Sequence, residues 1–184
     1  MVVVESTGTG TAAGASVAGM TEPQPPLSDR SPSPTRPGSA RSATAATVED
    51  YRHNLETVRA QIVSAAERAG RDAAEIRLLP VSKTVPEERL RTAHAAGITQ
   101  MGENKVQEAK RKAENLAGLG IHWAVIGHLQ TNKAKDVAVF ANEFQALDSL
   151  RVAEALDRRL QAAGRDLDVY VQVNSSGETS KFGL

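Results

Sequence analysis

The chain has 184 residues, with Lys plus Arg and Asp plus Glu at 22 each, so its formal net charge is zero. That balance removes the positive field through which proteins bind nucleic acid nonspecifically, and nucleic acid is not an expected partner. The absence of cysteine excludes disulfide scaffolds, zinc–thiolate and iron–sulfur sites and thiol catalysis. No apolar run approaches the ~20 residues of a membrane helix. Met1-Val-Val-Val-Glu5 has no basic stretch ahead of it, so it does not read as a secretory signal. These exclusions lead to the expectation of a soluble cytoplasmic protein with no membrane partner.

Residues 1–47 differ in kind from the rest. Six of the eight prolines lie here among Ser, Thr, Ala and Gly, and no aromatic residue does. Such a segment has too little apolar area to offset the entropy of ordering it, and it is expected to be a disordered tail. Its Gly8-Thr-Gly10-Thr-Ala-Ala13 formally fits a dinucleotide fingerprint. A proline-rich stretch follows where a βαβ unit is required, so chance composition explains it better.

From residue 48 a strand–helix rhythm begins. Thr47 caps a helix in which Tyr51, Leu55, Val58 and Ile62 recur at helical spacing, with Gly70 placed to end it. Leu78–Ser82 reads as a buried strand despite Pro80, and Pro86 then opens a helix that Gly97 closes. Thr99–Met101 is a second strand, followed by a helix over 103–116. Residues 121–126 form a third strand, with a short helix over 131–140. Phe144–Leu147 is the fourth strand, followed by a helix capped by Ser149 and closed by Gly164. Val169–Val173 is the fifth. This alternation predicts an α/β fold with a parallel sheet and right-handed crossovers. An open doubly wound sheet and a (β/α)8 barrel both fit. Five strands cannot close a barrel that needs eight, so the sheet is either open or part of one.

In both architectures function sits at the carboxyl edge of the strands. The strand ends there are Ser82-Lys83-Thr84, Gly102-Glu103-Asn104, Gly127-His128, Asp148-Ser149 and Asn174-Ser175. Lys83, the first lysine of the chain, stands out because it directly follows an apolar strand. Partial desolvation there lowers a lysine's pKa and frees its amine to attack an aldehyde or ketone. The bland alternatives are a solvated lysine or one paired with Glu103. His122 beside Trp123 reads as a satisfied core histidine. Lys105, Lys110, Arg111 and Lys112 interleave with Glu108 and Glu114 in the pattern of a solvated helix face. No His/Asp/Glu cluster has metal-ligand spacing.

Five motifs occur in order: Leu79-Pro-Val-Ser-Lys83-Thr, Met101-Gly-Glu-Asn104, His122-Trp-Ala-Val-Ile-Gly-His-Leu-Gln-Thr-Asn-Lys133, Leu147-Asp-Ser149, and Val171-Gln-Val-Asn174 through Ser180-Lys-Phe-Gly183. Together they resemble the pyridoxal phosphate homeostasis proteins, single-domain relatives of the alanine racemase N-terminal barrel. The resemblance runs from about residue 48 to the last residue. It implies a partial (β/α)8 TIM-type barrel over 48–184 with about five parallel strands, preceded by the tail of residues 1–47. It also implies that Lys83 holds pyridoxal 5'-phosphate (PLP) as an aldimine and that Asn104 lies beside the cofactor. His128, Gln130, Asn132 and Lys133 then line the site or its rim. Some relatives carry a second lysine two residues past the first, where this chain has Val85.

Family members continue for three more strand–helix units that supply the phosphate cradle and an arginine facing the pyridine nitrogen. The resemblance therefore implies a C-terminally truncated barrel. The implied role is a PLP carrier in B6 homeostasis that catalyses no reaction, because racemisation needs a placed acid/base pair and a second domain. The alternatives are a PLP-dependent racemase-like enzyme and a fragment that no longer binds. The sequence leaves the oligomeric state and the recipients of PLP open.

Overall fold

The structure, a computed structural model, describes residues 2–6 and 47–184. The Gly8–Ala13 stretch and almost all of the tail expected to be disordered lie outside the described residues. One piece of that tail departs from expectation. Val2–Ser6 is a strand, β1, which pairs antiparallel with β2 (Ile76–Pro80) in the register Val2↔Pro80 to Ser6↔Ile76. A run of β-branched residues has high strand propensity, and the outer edge of β2 offers unpaired backbone groups. The composition of the whole segment hides this short run.

Thr47 caps α1 (Val48–Arg68) in a reciprocal capping box with Asp50, at 3.0 and 3.1 Å. The chain then alternates as the rhythm predicts. α2 spans Glu87–Ala95, β3 Gln100–Glu103, α3 Val106–Asn115, β4 His122–Val125, α4 Ala134–Phe140, β5 Glu143–Leu147, α5 Leu150–Ala163 and β6 Asp168–Val171. Strands β3 to β6 form a parallel sheet in chain order. β2 joins it through a parallel bridge between Val81 and Gly102, where the Ser82 N–H donates to the Gly102 carbonyl at 2.9 Å. Gly164 ends α5 at φ +61°, a left-handed conformation that glycine adopts without penalty.

One face of the sheet packs on the helices. Met101 and Trp123 meet Leu90, Ala93 and Leu116, while Val125 and Phe144 meet Val137, Val152 and Leu156. The registers put Arg77, Leu79, Gly102, His122, Ala124 and Glu143 on the opposite face. There Arg77 grips Glu143 in two hydrogen bonds of 2.6 and 2.8 Å. A flat sheet separates β2 from β5 by three strand spacings, about 14 Å. Two side chains meeting across that span require the sheet to curl with this face concave. The sheet is nevertheless not closed: β6 is exposed along its whole length, with Val169 and Val171 47% and 56% accessible. The fold is therefore α/β with an open, curled parallel sheet.

Candidate functional site

Lys83 lies at the corner of a tight turn. The Val85 N–H donates to the Ser82 carbonyl at 3.0 Å, which closes a four-residue turn with Lys83 and Thr84 at its centre. Thr84 has φ +64°, and among the described residues it is the only non-glycine residue with positive φ. In a turn that position is normally taken by glycine, and a β-branched residue there is under strain. The parallel register Val81↔Gly102 sets Lys83 level with Asn104 at the carboxyl edge. Both side chains are exposed. Neither makes a hydrogen bond or ion pair among the described residues, and this settles one alternative, because Glu103 is paired elsewhere. The partial desolvation expected of Lys83 is not what the structure shows, since an open sheet puts no wall over the strand end.

Beneath the turn lies a cluster that the sequence pattern conceals. Lys112, read as part of a solvated face, is completely buried. Its ammonium donates to Glu103 Oε1 at 2.5 Å, Glu108 Oε1 at 2.8 Å and the Ser82 carbonyl at 2.9 Å, which uses all three of its protons. Ser82 Oγ donates to Glu103 Oε1 at 2.7 Å. The Thr84 N–H donates to Glu108 Oε1 at 3.2 Å. The Lys112 bond and its charge, helped by the Thr84 amide, outweigh desolvation and hold the Glu108 carboxyl below its ordinary value of 4.5. The signal was present in the spacing: Val106, Ala109, Ala113 and Leu116 form the apolar stripe of α3, and Lys112 sits within it.

The strand ends beyond Asn104 form a second group. Gly127 passes so close to the Asn104 backbone that any Cβ there would collide with the Asn104 carbonyl. His128 Nδ1 lies 2.6 Å from Asp148 Oδ2, which links the ends of β4 and β5. Phe182 stacks on the His128 ring at 3.8 Å and 11°. The Gln172 amide holds the Phe182 carbonyl at 2.7 Å, so the loop after β6 folds back over these strand ends. Lys133 falls in the short helical turn Thr131–Lys133, with Gln130 and Asn132 exposed around it.

His122 is not the satisfied core histidine of the sequence reading. Its Nε2 is buried without a hydrogen bond, 3.9 Å from Glu143 Oε2 on the concave face. Arg77 holds the Glu143 carboxylate in two hydrogen bonds, and at that position it lies beyond hydrogen-bond reach of the imidazole. For Glu143 burial opposes ionisation, but bonds from Arg77 and Gln145 and the nearby charges prevail and lower its pKa. Among the described residues no cluster of three metal-ligating side chains occurs, and no helix is long and apolar enough to cross a membrane.

No known family model matches the chain. It is 44% identical over 130 residues to a pyridoxal phosphate homeostasis protein of Pseudomonas aeruginosa, covering 71% of this chain and 56% of that one. It is 41% identical over 140 residues to the protein of the same name from Escherichia coli, covering 74% and 60%. Its fold is similar to PipY of Synechococcus elongatus solved with PLP bound, at TM-score 0.59 and 32% identity, covering 70% and 56%. The chain thus spans 56–60% of the length of these curated relatives.

Proposed function

We propose that this chain, which belongs by sequence with the pyridoxal phosphate homeostasis proteins, holds PLP on Lys83 and serves B6 homeostasis in the cytoplasm without catalysing a net reaction. The observation that carries this reading is the Lys83 amine, unpartnered and exposed at the carboxyl edge with Asn104 level beside it. PLP supplies an aldehyde that a neutral primary amine attacks, with one water leaving. That donor set fits the aldehyde end of PLP. Lys83 provides the nucleophile from a fixed turn, and Asn104 provides an amide donor and acceptor level with it. On the β4 side of Asn104, the close approach of Gly127 to the Asn104 backbone keeps the edge clear of a side chain. The curl shown by the Arg77–Glu143 pair supports a partial (β/α)8 barrel over 48–184.

The test is reduction with borohydride after addition of PLP, followed by peptide mass analysis. The label is expected on Lys83 and absent from Lys83→Ala. A label mainly on Lys133 or Lys181, or labelling unchanged in the variant, sinks the assignment.

One observation favours a second reading, a racemase-like enzyme. His128 and Asp148 form a hydrogen-bonded pair capable of proton transfer at the same edge. The proposed carrier role has the stronger support, because the His128 ring is covered by Phe182. Optical rotation of L-alanine incubated with the chain and PLP is expected to stay constant, and a steady decline establishes the enzyme instead.

A further inference from the structure

We propose that Lys112 and Glu108 are positioning residues for Lys83, clamping from α3 the strained turn that presents its amine. The inference rests on the PLP reading above and says how the nucleophile is held. The clamp grips the turn on both sides of Lys83. On one side the Ser82 carbonyl accepts from Lys112 Nζ at 2.9 Å and from the Val85 N–H at 3.0 Å. On the other side the Thr84 N–H donates to Glu108 Oε1 at 3.2 Å. Lys112 and Glu108 are themselves joined at 2.8 Å, so the two grips form one unit on a single helix face.

Two features argue that this is more than structural support. A threonine at φ +64° relaxes unless its surroundings hold it, and among the described residues the only side-chain partner of its amide is Glu108. A fully buried ammonium with three acceptors is also a costly way to fill space under a helix, where leucine or methionine would pack without desolvation. What the ammonium does that an apolar group cannot is bind the carbonyl immediately before Lys83. Such fixation sets the backbone position and the Cα–Cβ direction from which the Lys83 side chain reaches an aldehyde.

The test uses the full chain. Glu108 is partly exposed, so Glu108→Ala removes the Thr84 acceptor while leaving the Lys112–Glu103 bond. The thermal midpoint is followed to confirm folding. Amide hydrogen exchange at Thr84 is expected to speed up roughly tenfold, and PLP labelling of Lys83, read against Lys135 as internal reference, to slow by a similar roughly tenfold factor. Glu108→Gln keeps an acceptor oxygen and is expected to restore both. Faster Thr84 exchange with wild-type labelling of Lys83 overturns this inference alone. Unchanged Thr84 exchange in Glu108→Ala also overturns it, because the clamp is then absent. A wild-type chain that traps no PLP on Lys83 overturns the cofactor reading, and the positioning role falls with it.

Discussion

Glu103 and Glu143 are both carried by strands of the same sheet and are 0% and 1% exposed, yet their charges are met in opposite ways. Glu103 faces the helices and is neutralised by Lys112, nine residues on and as deeply buried as itself. Glu143 faces the concave side and is neutralised by Arg77, which comes from the far end of the sheet and keeps 27% of its side chain in solvent. The first pair is local and ties one helix to one turn. The second is long-range and fixes the curl of the whole sheet. A buried charge can therefore serve either a single loop or the global shape, and sequence separation distinguishes the two.

The most severe way to break the first pair is Lys112→Met. It strands the Glu103 carboxylate in an apolar site and is expected to cost about 3–5 kcal/mol in urea denaturation. Adding Glu103→Leu is expected to recover most of that, since a packed apolar pair often replaces a buried ion pair without loss. Recovery of stability without recovery of Lys83 labelling would separate the clamp's role from its contribution to the fold.

Arg77→Ala attacks the second pair. It removes two charge-assisted hydrogen bonds and is expected to cost roughly 2 kcal/mol, less than the first because water can reach the vacated side. Its effect depends on pH. The folded-state pKa of Glu143 lies below the ordinary value of 4.5. Its contribution is thus fully present above the unfolded pKa and is lost as pH falls through the folded one. Wild type is expected to lose stability on acidification below pH 4.5 more steeply than Arg77→Ala, and equal slopes rule out this pair as the source.

Thr84→Gly gives the smallest expected change in stability and sharpens the contrast most. Relief of the positive φ is expected to raise stability, by up to about 1 kcal/mol after the entropy of glycine is counted. Lys83 labelling is expected to fall, because a glycine turn is less rigid. A gain in one with a loss in the other marks the strain as functional, and no such strain accompanies the Glu143 cluster.

The alternation of strands and helices was legible because apolar runs and glycine or proline stops punctuate it at nearly every boundary. Lys83 and Asn104 were legible as strand ends that the parallel register makes neighbours. The clamp was missed because charge interleaving on α3 looks solvated when residue types are counted. Only the phase of the stripe through Val106, Ala109 and Leu116 reveals that Lys112 points inward. The Arg77–Glu143 contact was beyond reach for another reason. No local pattern encodes how strongly a sheet curls, and the two residues lie 66 positions apart. Ser149 is the N-cap residue of α5, as its position in the sequence suggests, with its hydroxyl donating to the neighbouring Asp148 at 3.3 Å.

The strands from β3 to β6 lie in the order in which they occur in the chain, so each strand–helix unit leans mainly on the units before and after it. Such a fold shares the energetics of a short stack of repeats, in which each interface adds its own increment. The layer at β6, exposed on both faces, is then the natural place for fraying to begin. The turn bearing Lys83 lies at the other end of the stack, four interfaces away, where partial opening of the last layer leaves its geometry untouched.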